Sequence, residues 1–212
     1  MIDTGKTANS TGLTVIERYY RMHSRIYDAT RWSFLFGRRA ILCQIGRIAQ
    51  PKNILEIGCG TGANLANLCR MFPDAQITGL DISQDMLARA KENTRGFHGR
   101  LRLVRRSYDA PLADFIPHDL VLFSYALSMF NPGWERAIEC AHADLAQGGH
   151  VAVVDFHDSR FPTFKRWMGV NHVRMDGHLR PVLSSLFHPV TETLYSAYGG
   201  VWEYGQFIGR KK

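Results

Sequence analysis

The sequence lacks any apolar stretch of 18 residues, the length at which a membrane-spanning helix is expected. It also lacks a basic-then-apolar secretory leader. Its four cysteines form no CxxC pair, and its nine histidines are scattered without zinc-helix spacing. We therefore expect a cytoplasmic protein with neither a disulfide framework nor a bound metal.

Acidic residues are scarce relative to basic ones, and the 212-residue chain carries a formal net charge of +7. Residues 1 to 50 hold eight Lys or Arg against three Asp or Glu, which gives +5. A basic face of this kind suits anionic lipid, nucleic acid or an acidic substrate, although a plain solvated surface gives the same count. Hydrophobic residues make up 45% of the chain, enough for a sizeable core.

Apolar strand-like runs alternate with helix-like segments from Asn53 onward. The runs are "NILEIG", "QITGLDI", "LRLVRR", "DLVLFSYA" and "HVAVVDF". This alternation predicts an α/β fold with a Rossmann-like, doubly wound, mostly parallel sheet. The last two strand-like stretches meet around Gly199-Gly200, which predicts an antiparallel hairpin at the sheet edge.

The same pattern sets the predicted boundaries. Residues 1-50 are expected to form a tail and a helical lid, with the lid proper at Tyr19 to Arg39, and residues 51-212 the main domain. "PGWERAIECAHADLAQGG" is interpreted as one helix closed by Gly148 and Gly149. Residues 157 to 190 are interpreted as a long connection punctuated by prolines.

A glycine-rich turn follows the first strand, where ligands bind in folds of this type. Gly58, Gly60 and Gly62 are spaced G-x-G-x-G, whereas the dinucleotide fingerprint is G-x-G-x-x-G. The carboxylate of Glu56 would oppose a pyrophosphate and suit a cationic ligand. S-adenosylmethionine, with its sulfonium, its amino group and no phosphate, meets that requirement.

Acids follow the next two strands. Asp81 ends the second strand, nineteen residues after Gly62, where an acid accepts hydrogen bonds from both ribose hydroxyls. Ile82 offers an apolar face to an adenine ring. Asp109, after the third strand, is placed to accept from the adenine amino group, although acids are also common in such loops. Cys59 is interpreted as a residue chosen for its size, with its amide near the ligand.

The pieces EIGCGTG, GLDIS, YDA and SYA, in this order, resemble the class I S-adenosylmethionine-dependent methyltransferases between about Asn53 and Phe156. The resemblance implies an enzyme with S-adenosyl-L-methionine as cofactor. The predicted cofactor-binding residues are Tyr27, Glu56, Gly58, Cys59, Gly60, Gly62, Asn64, Asp81, Ile82, Met86, Asp109, Ala110 and Ser124.

Two flanking segments, Tyr19 to Arg39 and Phe123 to Ile138, together with "VVDF", are similar to the N-methyltransferases of betaine-lipid synthesis. That resemblance implies an amine acceptor on a lipid head group and peripheral contact with an anionic membrane. Tyr125 and His157 are the candidate catalytic residues, because they follow the fourth and fifth strands where acceptors are handled. The alternatives are that Tyr125 does not touch ligand and that His157 is a satisfied surface histidine.

Other functions remain open from the sequence. A soluble small molecule, such as a quinone or natural product, is the main alternative acceptor. A nucleic-acid acceptor is not expected, because the Asn/Asp-Pro-Pro-aromatic tetrad is replaced by Ser124-Tyr125-Ala126-Leu127 and no RNA-binding module is evident. A nicotinamide-dependent oxidoreductase and a non-catalytic cofactor-binding protein are the remaining classes.

Overall fold

Seven strands form one sheet in the computed structural model, which describes residues 35–113 and 116–212. The strands are β1 Asn53–Ile57, β2 Gln76–Asp81, β3 Leu101–Arg105, β4 His118–Ser124, β5 Leu145–Phe156, β6 Phe187–Ala197 and β7 Trp202–Lys211. The helices are α1 Arg38–Ile48, α2 Ala63–Met71, α3 Gln84–Asn93, α4 Trp134–Asp144, α5 Pro162–Val170 and α6 Leu179–Leu186, with short 3-10 turns at Arg95–Phe97 and Leu127–Met129.

The strand order is β3-β2-β1-β4-β5-β7-β6. The first five strands run parallel, β7 pairs antiparallel with β5, and β6 pairs antiparallel with β7. The order reverses beside β1, so a crevice is expected at the carboxyl edge next to that strand. The predicted Rossmann-like sheet with a C-terminal antiparallel hairpin is confirmed.

Two apolar cores lie on opposite faces of the sheet, because strand side chains alternate between faces. The first buries Ile41 and Ile45 of α1 against Leu122 and Val154. The second buries Ile138 of α4 and Leu183 of α6 with other apolar residues of the sheet. Helix α1 therefore shares the core of the sheet. Tyr27 and most of the predicted lid, Tyr19 to Arg39, lie outside the described residues.

The structure corrects the predicted end of the helix before the fifth strand and the predicted start of that strand. Helix α4 ends at Asp144, and β5 begins at once with Leu145, so Gly148 and Gly149 lie inside a strand. The Asp144 carboxylate, at the end of this helix, accepts hydrogen bonds from the Tyr108 hydroxyl and the Leu112 amide, both at 2.8 Å. The β5–β4 pairing is irregular between His118 and Leu120, which accommodates the early strand start.

Residues 157 to 190 contain two helices and the start of β6, instead of one long connection. The prolines misled the sequence interpretation. Pro162 is the first residue of α5, and Pro181 lies in the first turn of α6. In a first turn the missing amide hydrogen has no helical partner to lose, so proline is tolerated there.

A carboxylate clamp holds the opposite, amino edge of the sheet. Asp119 Oδ2 accepts hydrogen bonds from the amides of Lys52 at 2.8 Å and Asn53 at 2.9 Å.

Of the four cysteines, Cys43 is exposed on α1, while Cys59, Cys69 and Cys140 are buried. Within the described ranges, the helices are all too short or too polar to cross a bilayer.

Candidate functional site

The glycine turn lies at the carboxyl edge, between β1 and α2. Gly58, Gly60 and Gly62 have φ angles of 67°, 54° and 78°, a region that favours glycine. The amides of Gly58 and Cys59 donate to the Leu80 carbonyl at 2.8 and 3.0 Å, which ties the turn to the end of β2. A side chain at Gly58 would put its Cβ 2.9 Å from the Cβ of Ala126. The loop after β4 is therefore packed directly against the turn.

Glu56 lies beneath this turn and is only 1% exposed. Its Oε1 accepts a hydrogen bond of 2.7 Å from the Asn64 side-chain amide. Asn64 Oδ1 in turn accepts from Arg38 Nε at 3.2 Å. Asn64 thus orients Glu56 from α2, and Arg38 connects α1 to the site. Arg38 was not among the predicted residues, because no sequence motif marks a partner eighteen positions before Glu56.

Asp81 fixes the far side of the turn. Its Oδ2 accepts from the Gly60 amide at 2.8 Å, and its Oδ1 accepts from the Ser83 amide at 2.9 Å. A carboxylate oxygen can accept more than one hydrogen bond, so the Asp81 carboxylate is chemically suited to ligand hydroxyls. The Ser83 hydroxyl caps α3 by accepting from the amide of Met86, whose side chain is buried, and Ile82 is half-buried beside it.

Cys59 is buried, and burial raises the pKa of its thiol well above the ordinary value, with further contributions from Glu56 and Asp81. A thiol in such acidic, apolar surroundings stays protonated and is a poor nucleophile. Its sulfur lies 3.1 Å from where a Cβ at Gly79 would be, so the neighbouring strand leaves space for it. This agrees with an interpretation of Cys59 as a space-filling residue.

The remaining predicted cofactor residues lie farther along the same edge. Asp109 is exposed and Ala110 half-buried, and the Asp109 carbonyl accepts from Arg136 Nε at 3.1 Å. Ser124, the last residue of β4, is buried, and its hydroxyl has no hydrogen-bond partner within the described ranges. An unsatisfied buried hydroxyl next to the glycine turn is a candidate ligand contact.

Tyr125 follows β4 in a left-handed conformation, with φ 55°. Its hydroxyl donates to the Phe36 carbonyl at 2.8 Å, and its ring meets that of Phe156 at 4.7 Å. Burial, then the charge of Asp155, raises the pKa of Tyr125 far above its usual value. The phenol therefore stays protonated, so Tyr125 is suited to positioning and not to accepting a proton.

His157 follows β5 and is half-buried. Its amide donates to the Glu203 carbonyl at 2.8 Å, and its carbonyl accepts from the Gly177 amide at 2.9 Å. Burial, and then the positive charge of Arg180, lowers the pKa of the His157 ring. A neutral imidazole at neutral pH has a nitrogen lone pair, as a proton acceptor requires.

The charges around the turn discriminate between cofactors. The acids Glu56 and Asp81 flank the glycines, and the neighbouring Arg38 is engaged with Asn64. A pyrophosphate would meet two carboxylates here, whereas a sulfonium and an amino group would be attracted. The residues present therefore fit S-adenosylmethionine.

Residues 54–149 match the family described as a methyltransferase domain. This part of the chain is a methyltransferase domain. Solved structures of the same fold contain S-adenosylhomocysteine or S-adenosylmethionine, and S-adenosylmethionine is the cofactor, as predicted. The malonyl-[acyl-carrier protein] O-methyltransferase of Geobacter sulfurreducens is 29% identical over 167 residues, which cover 78% of this chain and 58% of that protein. The chain spans about half the length of the curated relatives it matches.

Solved structures share the fold of this methyltransferase domain across nearly the whole chain. The [4+2]-cyclase SpnF has a TM-score of 0.75 at 15% identity, covering 94% of this chain and 96% of that one. The 1,6-didemethyltoxoflavin-N1-methyltransferase of Burkholderia thailandensis, solved with S-adenosylhomocysteine, has a TM-score of 0.68 at 16% identity, covering 100% and 93%. At these identities the likeness concerns the fold alone.

Proposed function

We propose that the protein is an S-adenosylmethionine-dependent methyltransferase that methylates an amine on an amphiphilic or lipid-linked head group. The methyltransferase domain and its acidic glycine turn support the reaction class. An apolar and basic rim at the carboxyl edge of the sheet carries the choice of acceptor.

The rim consists of Phe36, Arg160, Phe161, Trp167 and Tyr198. The four aromatic side chains are between 38% and 56% exposed. Two contacts lie within the rim: Phe36 meets Tyr198 at 5.4 Å between ring centroids, and Arg160 lies 5.0 Å from the centre of the Phe161 ring. Ser159 lies just before α5, and its hydroxyl donates to the Val201 carbonyl of the hairpin at 2.6 Å.

Exposed aromatics interleaved with basic groups are typical of surfaces that dip into a lipid interface. The rim lies at the edge that holds the glycine turn, Tyr125 and His157, so an acceptor held in lipid would arrive beside the cofactor. The resemblance to the betaine-lipid N-methyltransferases agrees with this acceptor class, and basic residues add about 1 kcal/mol each at an anionic surface.

S-adenosylmethionine supplies an electrophilic methyl group when it is bound. The protein must then hold the acceptor in line, exclude water and take up a proton. We assign acceptor positioning to Tyr125, whose orientation is fixed by the Phe36 carbonyl, and proton acceptance to His157. We assign cofactor binding to the predicted residues around the glycine turn, including Asn64 and Ser124.

A soluble small molecule is the second candidate acceptor. The observation in its favour is that the relatives named above act, by their names, on a malonyl-carrier thioester acid and on a heterocyclic nitrogen.

Two measurements test the proposal. Calorimetry should show binding of S-adenosylmethionine and S-adenosylhomocysteine but not of NADH. Methyl transfer from labelled cofactor should then appear in an amine of a lipid extract, with faster transfer on anionic than on neutral vesicles at low salt. A water-soluble product formed at a rate insensitive to vesicles would support the second candidate instead.

Trp167→Ala should weaken vesicle binding at low salt, because it removes an exposed rim aromatic. Ile116→Ala is the matched control, since Ile116 is 73% exposed and precedes β4 at the opposite edge. Equal vesicle binding by both variants would contradict the rim assignment.

A further inference from the structure

An open groove of about 440 Å³ lies at the amino edge of the sheet, beside the starts of β2 and β3. Sites for small molecules commonly measure roughly 300–1,000 Å³, so the groove has room for a small organic ligand. It is separate from the cofactor turn, because Asn53, at the start of the five-residue strand β1, lines the groove, whereas the glycines follow the end of that strand. A strand of this length spans roughly 15 Å.

The floor of the groove offers polar side chains to a ligand. Thr78 and Arg102 are register partners on β2 and β3, so their side chains lie on the same face of the sheet. Thr78 is only 9% exposed, and its hydroxyl forms no hydrogen bond within the described residues. The same holds for the side-chain amides of Asn53 and Gln76, which also line the groove. These groups can therefore donate hydrogen bonds to a bound molecule.

The chain that borders the groove is strongly basic. Residues 95–102, "RGFHGRLR", hold three arginines and no acid. Arg100 donates to the carbonyls of Cys69 and Phe72, the latter at 3.0 Å, and its guanidinium lies 5.4 Å from the centre of the Phe97 ring. These partners carry no charge, so they orient the guanidinium without neutralising it.

Arg102 is exposed and supplies a second positive charge. A guanidinium has five N–H donors, so a partner within the protein leaves donors for a ligand. Among the described residues that line the groove there is no acid. The acids adjacent to that lining are engaged, since Asp74 pairs with Lys52 at 3.4 Å and Asp119 accepts from two backbone amides. The groove therefore favours an anion.

We propose that this groove binds a phosphate monoester. A guanidinium fork matches the geometry of phosphate oxygens, and a dianion suits two neighbouring arginines better than a single carboxylate does. The Thr78 hydroxyl and the amides of Asn53 and Gln76 are neutral donors for the remaining oxygens. The volume of the groove exceeds that of a bare phosphate, so the ligand carries an organic group. The site is independent of the acceptor that the enzyme methylates.

Calorimetry at saturating S-adenosylhomocysteine tests the site while the cofactor turn is filled. Glucose 6-phosphate should bind, glucose should not, and glucuronate, with a carboxylate on the same sugar, should bind more weakly. Arg102→Gln should weaken glucose 6-phosphate binding about tenfold or more, because a charged hydrogen-bond donor is lost. Thr78→Val, which keeps the size of the side chain, should weaken it about threefold or more.

Arg166→Gln is the matched control, because it removes the same charge from an exposed arginine on α5. It should bind glucose 6-phosphate as the wild type does, and all three variants should bind S-adenosylhomocysteine normally. Equal binding of glucose and glucose 6-phosphate, or equal weakening by Arg102→Gln and Arg166→Gln, would overturn the site.

NMR on the wild type locates the ligand without any substitution. Glucose 6-phosphate should shift the amide signals of residues 98–102 and leave those of the glycine turn unchanged. Shifts confined to the glycine turn would refute a separate site.

The same phosphate chemistry occurs on a lipid head group, and competition distinguishes the two sources. Displacement of glucose 6-phosphate by phosphatidic acid vesicles, but not by phosphatidylcholine vesicles, would assign the site to a lipid phosphate. Unchanged glucose 6-phosphate binding in the presence of both vesicles would assign it to a soluble ester.

Discussion

Asp81→Ala separates ligand recognition from the support of the glycine turn. We expect the cofactor ribose to bind the Asp81 carboxylate with both hydroxyls, and losing a charged acceptor for two donors costs roughly 1.5–3 kcal/mol. At 1.4 kcal/mol per tenfold change, the dissociation constant of S-adenosylhomocysteine should rise about 10- to 150-fold. Isothermal calorimetry measures this directly.

The variant also removes the acceptor for the Gly60 and Ser83 amides, so part of the effect is structural. Asp119→Ala provides the matched control. Asp119 is likewise half-buried and likewise accepts from two backbone amides, at the opposite edge of the sheet. Each variant should lower the free energy of unfolding by about 1–3 kcal/mol. Only Asp81→Ala should weaken ligand binding. An unchanged dissociation constant, or equal weakening by Asp119→Ala, would refute the assignment.

Three further predictions follow from the site. Gly58→Ala should lower the melting temperature and the cofactor affinity, because φ at Gly58 is 67° and the new Cβ would lie 2.9 Å from the Cβ of Ala126. Gly99→Ala is the control: Gly99 has open space around it, so this variant should change neither the melting temperature nor the cofactor affinity. Asp155 has a folded-state pKa of about 6 against 3.8 for the free group, so wild-type stability should fall by roughly 2.4 kcal/mol between pH 4 and 7 relative to Asp155→Asn. Parallel denaturation curves across that range would contradict this. Tyr125→Phe removes the hydrogen bond to the Phe36 carbonyl, costing about 1 kcal/mol of stability, and should leave the alkaline limb of the pH–rate profile unchanged; a lost limb would make Tyr125 the base.

The cofactor half of the fold could be predicted from the sequence because its signals are local. The cap of α3 by Ser83 and the position of Asp81 follow directly from spacing within a few residues. The glycine turn likewise follows a single apolar strand.

The C-terminal half of the fold could not be predicted, because its contacts join distant parts of the chain. Asp155 holds Ser128, and Gln206 donates to the Gly37 carbonyl at 2.7 Å across 169 positions. The hydrophobic periodicity of a sequence does not indicate which distant residues form such hydrogen bonds. The helices α5 and α6 were missed for a different reason. Pro162 and Pro181 lie in their first turns, and a proline in a sequence predicts the interruption of a helix unless the position of the helix start is already known.

The burial of three cysteines makes this protein convenient for spectroscopy. Cys43 is the one exposed thiol, so a maleimide fluorophore or spin label should attach to α1 alone without any cysteine being removed. That helix begins at Arg38, which is bonded to Asn64 and through it to Glu56. A label at Cys43 would therefore sit on the element most directly connected to the glycine turn from outside the sheet, and its signal would report ligand binding in solution without a radioactive or enzymatic assay.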